Sequence, residues 1–324
     1  MKRRSALVAV VVAATGAQTS LPVQAQAYPA KTLRVVVPFA AGGVGDLTAR
    51  AVAAGLAQRL GQAVVIDNRP GAGGVVAADT VARAAPDGYT LVLLSNGTAV
   101  AASLFKTLPY DTLTAFTPVS TLGFFDIAVL VPADSPFRTL GQLSAHARAH
   151  PGQLNIGSIN VGSTQHLAAE LFKSSAAIDA QVVPFNGTPA LITALRGHQV
   201  DAGVEILGPV LPQVRSGALR VLAVAGERRS VMLPDVPTAV ESGVPGFVAS
   251  SWNALALPAR TPRAVVDRLQ QAVAEVLATP AVQQQLRTLN VEPRASTPEQ
   301  AAALLKADIE RWHAVIDRAG IPRQ

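Results

Sequence analysis

The chain contains no cysteine. That removes disulfides, thiolate metal sites, a cysteine nucleophile and lipid attachment through an N-terminal cysteine. Aromatic residues are few, at 4% of the 324 residues, and charged residues reach only 15%. The weight falls instead on Ala, Val and Leu, which favours an alternating α/β fold with buried parallel strands. Long hydrophobic runs are missing too. The apolar stretch 6–14 is too short for a bilayer, which takes about 20 apolar residues. Metal-ligand spacing is scarce. Among the five histidines only His146 and His150 stand four apart. No Glu lies between them, and a solvated helix face is the better reading. No cofactor is indicated.

An export leader is expected at the N-terminus. Lys2, Arg3 and Arg4 give a positive start, the apolar stretch follows, and Ala25-Gln26-Ala27 offers small residues where a signal peptidase reads. Cleavage after Ala27 leaves Tyr28 first in the mature chain and predicts a periplasmic location. Arg3-Arg4 lacks the rest of a twin-arginine signal. Trimming changes the charge. The whole chain has 27 Lys and Arg against 21 Asp and Glu; the leader takes three basic and no acidic residues, leaving 24 against 21, a net +3. The remaining excess is unclustered, so no nucleic-acid partner is expected.

The pattern of elements is regular. A strand at 33–38 is followed by a glycine turn, a helix at 47–60, a strand at 63–66, a helix at 75–84 and a strand at 89–94. This is β-α-β-α-β, the mark of a parallel sheet with helical crossovers. A second series starts at strand 127–131. Helix 139–149, strand 154–157, helix 163–176, strand 180–184, helix 188–196, strand 200–204, helix 208–216 and strand 219–224 follow. Trp252 to Leu257 reads as a returning strand, and three helices close the chain. The last helix has Thr297 as cap, Pro298 at its first position, Gln300 three beyond the cap and Gly320 at its end. Two series and a return predict two lobes, 28–126 with 250–324 and 127–249. The chain crosses between them near 124–130 and 246–252. Ligands in such folds sit where strand C-termini face a common cleft.

Four strand-to-helix turns are candidates for that cleft. In Pro38-Phe39-Ala40-Ala41-Gly42-Gly43-Val44-Gly45-Asp46, small residues let the backbone approach a ligand, and a helix start presents N–H groups to an anion. Neither a phosphate-binding P-loop nor a dinucleotide fingerprint is present. Ser158 with Gly162, Ser163 and Thr164 repeats this in the second series; Ser163 or Thr164 also serves as a plain helix cap. Asn186 follows strand 180–184, and Ser95 with Thr98 follows strand 89–94. The candidate ligand set is therefore Phe39, Ala41, Gly42, Gly43, Asp46, Ser95, Thr98, Ser158, Gly162, Ser163, Thr164, Asn186 and Glu205. Asp46 reads equally as a first-turn helix charge or a ligand contact. Glu205 reads first as an exposed loop charge and second as a ligand contact. None of these turns adds Lys or Arg, so binding rests on neutral dipoles and ordered water. Ser163 and His166 lie one helical turn apart, but the nucleophile elbow is missing; a hydrolase is a minor alternative.

Several motifs, taken in order, resemble the Bug-type receptors of tripartite tricarboxylate transporters. They are Pro38-Phe39 through Gly42-Gly43 and Asp46; Asn68-Arg69-Pro70-Gly71-Ala72-Gly73-Gly74; Pro86-Asp87-Gly88-Tyr89-Thr90-Leu91; Gly162-Ser163 with His166-Leu167; and Leu233-Pro234-Asp235-Val236-Pro237-Thr238. Trp252, Thr261-Pro262 and Trp312 also fit. The resemblance implies a type II-like periplasmic binding fold, each lobe a mostly parallel sheet flanked by helices, closing on a carboxylate by hinge motion. It implies that loops 39–46 and 158–164 hold the ligand carboxylate, partly through water. A monomer that performs no chemistry on its ligand is expected. Membrane transporter subunits are the implied partners; a sensor-kinase ectodomain is the alternative. Two departures stand out. Phe185-Asn186-Gly187 replaces a family Tyr-Lys-Gly or Tyr-Arg-Gly, removing a basic residue beside the cleft. Val75-Val76-Ala77-Ala78 replaces a stretch that commonly carries glycine.

Overall fold

The computed structural model of the chain describes residues 28–39 and 41–324. The expected leader and its cleavage site lie outside the described residues. The elements run β1 (Leu33–Val37), α1 (Val44–Leu60), β2 (Val64–Asn68), α2 (Val75–Ala82), β3 (Thr90–Ser95), α3 (Asn96–Leu104), β4 (Phe116–Pro132), α4 (Leu140–Ala149), β5 (Leu154–Ile159) and α5 (Thr164–Ala176). They continue with β6 (Ala180–Phe185), α6 (Thr188–Arg196), β7 (Ala202–Ile206), α7 (Leu207–Arg215), β8 (Leu219–Val224), β9 (Ser250–Pro258), α8 (Arg263–Ala278), α9 (Pro280–Thr288), β10 (Glu292–Pro293) and α10 (Pro298–Ala319).

The first sheet has the order β2-β1-β3-β9-β4, with β1 parallel to both neighbours and β9 antiparallel to β3 and β4. The second has β4-β7-β5-β6, with β5 parallel to both neighbours and β8 on the other side of β4. The fold is α/β in two lobes, one built on each sheet. Its parallel strands, β1 to β3 and β5 to β7, are each followed by a helix, and every antiparallel pair includes β4 or β9.

β4 is the main difference from the expected element order. The strand expected at 127–131 is 17 residues long and belongs to both sheets. Its N-terminal part pairs with β9 down to Asp126↔Ser250, and its C-terminal part pairs with β7 and β8 from Ile127 onward. Register shifts next to Pro118 and Gly123 bend it. Beside this junction Ala225 N–H donates to the Ile127 carbonyl and Ala249 N–H to the Ala225 carbonyl. Three passes of the chain therefore lie side by side where the sheets meet.

Alternation along β9 assigns its two faces. Trp252, Ala254 and Ala256 enter one core with α10 and α3, while Leu255 and Leu257 enter another with α1 and α8. A third cluster packs α6 and α7 on the second sheet. The expected capping of α10 is realised: Thr297 accepts from Gln300 N–H and Gln300 reaches back to the Thr297 N–H. Among the described residues no helix is long and apolar enough to cross a membrane, and no cluster of His, Asp and Glu is placed to hold a metal ion.

Candidate functional site

A cleft of about 490 Å³ opens where the strand ends of both sheets meet. Its lining combines the loop before α1 (Phe39, Gly43, Val44, Gly45), the β3–α3 turn (Ser95, Gly97) and the start of α5 (Ser163, Thr164, Gln165). The floor and far wall come from Phe125 of β4, Ile206 and Pro209 beyond β7, and Ser251 and Asn253 of β9. No lining residue is charged. A larger hollow of about 620 Å³ lies between α1, α8 and α9, away from the strand ends.

α1 begins without a side-chain cap, because its cap position is Gly43. The first N–H groups of a helix have no partner within it. Here those of Val44 and Gly45 belong to residues that line the cleft. Gly42 has φ +87°, a left-handed turn that suits glycine and brings the chain round into the helix. Asp46 is not in the cleft lining. It is 1% exposed, and its carboxylate accepts from Gly42 N–H at 2.8 Å, Asn68 Nδ2 at 2.8 Å and Arg50 Nε at 2.9 Å. Burial opposes its ionisation, but these donors outweigh it and hold the carboxyl below its ordinary range. Asp46 is thus the clasp of the loop. Asn68 also donates to the Phe39 carbonyl, which fixes the loop's other end.

α5 starts differently. Ser163 caps it, accepting from His166 N–H at 3.1 Å while its own hydroxyl donates to the Ile159 carbonyl. The hydroxyl's one proton and one of its two lone pairs are committed. The Thr164 hydroxyl donates to Asn96 Oδ1 at 2.8 Å. Asn96 in turn donates to Asp308 on α10, which also receives Trp252 Nε1 and Arg311. A hydrogen-bonded chain therefore runs from the start of α5 through α3 into the core of the first sheet. Burial pushes the Asp308 carboxyl up, against the pull of these donors. The His166 ring accepts from Gly162 N–H rather than meeting the Ser163 hydroxyl, and burial lowers its pKa. A neutral imidazole in that bond is a loop support.

Of the residues expected from the sequence, the cleft brings together Phe39, Gly43, Ser95, Ser163 and Thr164. Ala41, Gly42 and Gly162 belong to the same loops without lining it. Thr98 accepts from Ser95 N–H within the β3–α3 turn. Ser158 is fully buried, and its hydroxyl has no hydrogen-bond partner among the described residues. Asn186 is exposed. Glu205 is the larger surprise. β7 ends at Ile206, not 204, so Glu205 lies inside the strand and is 0% exposed. It accepts from Gln165 Nε2 at 2.6 Å, Ile206 N–H at 2.7 Å and Thr188 at 2.9 Å, and burial pushes its pKa up despite them. It sits behind Gln165 rather than in the cleft.

Phe125, Gln165, Ile206, Pro209, Ser251 and Asn253 are lining residues that the strand-to-helix turns do not point to. One signal was available for Asn253. On β9 it occupies the face of Leu255 and Leu257, so a polar residue stands where period two calls for an apolar one.

The whole chain has close relatives. Residues 48–321 match the family described as the tripartite tricarboxylate transporter family receptor. Protein BugT of Bordetella pertussis strain Tohama I is 35% identical over 322 residues, covering 99% of this chain and 98% of that protein. Among solved structures, MatC from Rhodopseudomonas palustris with bound malate is 35% identical with a TM-score of 0.73, covering 89% of this chain and 100% of the other. A second Rhodopseudomonas palustris protein, solved with adipate, is 34% identical with a TM-score of 0.77, covering 91% and 99%. The sequence match spans nearly the full length of both chains and the fold agrees with the solved relatives, so the chain belongs to the receptor family of the tripartite tricarboxylate transporters, a family of periplasmic solute-binding proteins.

Proposed function

We propose that this protein captures a small carboxylate in the cleft and closes over it for uptake across the cytoplasmic membrane. The observation that carries the reading is the uncapped start of α1, whose cleft-lining N–H groups face the start of α5 across an uncharged cavity. Two opposed helix starts supply N–H groups and partial positive charge to an anion without a Lys or Arg. The malate and adipate complexes of relatives support this ligand class. The ligand contacts are the residues lining the cleft, with Asp46 and Glu205 acting from behind them.

The lobes divide at 126–127 and 249–250, where Asp126 and Ser250 form the last pair between β4 and β9. Closure bends the chain there. The protein turns nothing over: the Ser163 hydroxyl is committed to the Ile159 carbonyl, and the His166 ring faces Gly162. It works as a monomer in the periplasm after cleavage following Ala27, and membrane transporter subunits receive its ligand.

A thermal-shift screen with di- and tricarboxylates, amino acids and aromatic acids tests the ligand class. A ligand at 100 times its Kd stabilises the protein by about 2.7 kcal/mol. A flat result across the panel at millimolar acid overturns the carboxylate reading.

A further inference from the structure

The amide of Gln165 lines the cleft, and its orientation is fixed from behind. Glu205 is fully buried, and its Oε1 accepts the Ile206 N–H at 2.7 Å. Only a donor can approach that oxygen from the other side, so Gln165 must turn Nε2 toward it, at 2.6 Å. The other end of the amide, Oε1, then takes no hydrogen bond among the described residues. Gln165 is 7% exposed and lines the cleft, so this oxygen is an acceptor at the cleft wall. A ligand that closes over this oxygen without offering it a donor leaves it unpaired, which is unfavourable, and a bare dicarboxylate has no donor to offer.

We propose that Gln165, positioned by Glu205, is a specificity-determining residue that selects carboxylates bearing a hydroxyl or ammonium donor over donor-free diacids of the same length. The inference rests on the carboxylate reading of the cleft and narrows it. The carboxylate engages the helix starts, and the donor beside it engages the Gln165 oxygen. The buried Glu205 carboxylate behind Gln165 adds negative potential, which favours an ammonium further.

The test is calorimetric titration of the full-length protein with two matched series at neutral pH. One is succinate, malate and aspartate; the other is glutarate, 2-hydroxyglutarate and glutamate. The expected result is a donor-bearing acid bound at least tenfold tighter than the donor-free acid of its length. Gln165→Met keeps the side-chain volume without the acceptor, and it should bring that ratio toward one. Glu205→Gln keeps the acceptor for Ile206 but removes the charge, and it should lower the preference for the ammonium acid more than that for the hydroxy acid. A merely structural Glu205 would lower both alike. If the wild type binds acids of both kinds equally, or binds only donor-free acids, this inference fails while the carboxylate reading stands. If no acid in either series binds, the carboxylate reading falls and takes the inference with it. The wild-type ratios can overturn the inference even if a variant does not fold, and an unchanged ratio in Gln165→Met overturns the assignment to Gln165.

Discussion

The bond from Thr164 to Asn96 ties α5 of the second sheet to α3 of the first, and it offers a direct handle on closure. Asn96 is fully buried, and Thr164 is the one donor to its Oδ1 among the described residues. Opening that parts the two helix starts would break this bond and let water reach both groups. With the bond in place, as in this structure, Thr164→Val keeps the shape but leaves Oδ1 buried without a donor. Such an orphaned acceptor costs about 1–3 kcal/mol. At about 1.4 kcal/mol per tenfold, Kd for the best-bound acid of the screen should rise about 5- to 150-fold. Melting of the ligand-free protein should stay close to wild type where its helix starts part without ligand, since the penalty then falls on the closed state alone. Thr164→Ser restores the donor and should restore most of the affinity. Titration calorimetry on the three proteins reads the affinities, and thermal melts without ligand read the stability. Wild-type affinity in Thr164→Val, or an equal loss in Thr164→Ser, refutes the latch.

The site carries two more expected outcomes. Gly43 has φ −73° and ψ 161°, extended backbone open to any residue, so Gly43→Val should fold normally yet lose at least tenfold in affinity, its side chain standing in front of the α1 N–H groups; unchanged affinity would remove that loop from the site. Glu205→Gln should raise the melting temperature at neutral pH. Burial raises the native carboxyl above its ordinary 4.5, so the native state holds its proton to higher pH than the unfolded chain, and wild-type stability falls as pH rises through that window. The variant's advantage should widen upward from about pH 4.5 and level off above the raised pKa; an advantage flat across pH contradicts a desolvated charge.

The parts of this protein legible in its sequence are those governed by local rules. The α10 cap can be read from Thr297, Pro298 and Gln300, since a capping box is a property of four consecutive residues. The starts of α1 and α5 are legible for the same reason, and with them Phe39, Gly43, Ser163 and Thr164. β4 is not. Pro118 and Gly123 look like strand breakers, yet the strand passes through both by shifting register against β9. α3 is hidden because its first residues, Ser95 to Thr98, are turn formers; packing against α10 extends them into a helix that runs to Leu104. For Glu205, two residues of strand length decide between a loop and the interior. Asp46 needs its partners, since Asn68 lies 22 residues on and only the folded β2 edge delivers it.

The cleft floor is the least legible part, and the reason bears on mechanism. Phe125, Ser251 and Asn253 come from β4 and β9, the same strands whose pairing ends at Asp126↔Ser250 where the sheets join. The residues proposed to lie beneath the ligand are thus neighbours in sequence of those proposed to bend. A ligand seated on Phe125 and Ser251 constrains the backbone next to the joint directly, with no relay through a distant element. Since a ligand shifts a conformational balance only by its differential contact with the two states, contacts at the joint change little on closure and those at the helix starts change most. On the proposed closure, discrimination of closed from open would therefore belong to the starts of α1 and α5 with the Thr164–Asn96 bond, while β4 and β9 would hold the ligand in both states.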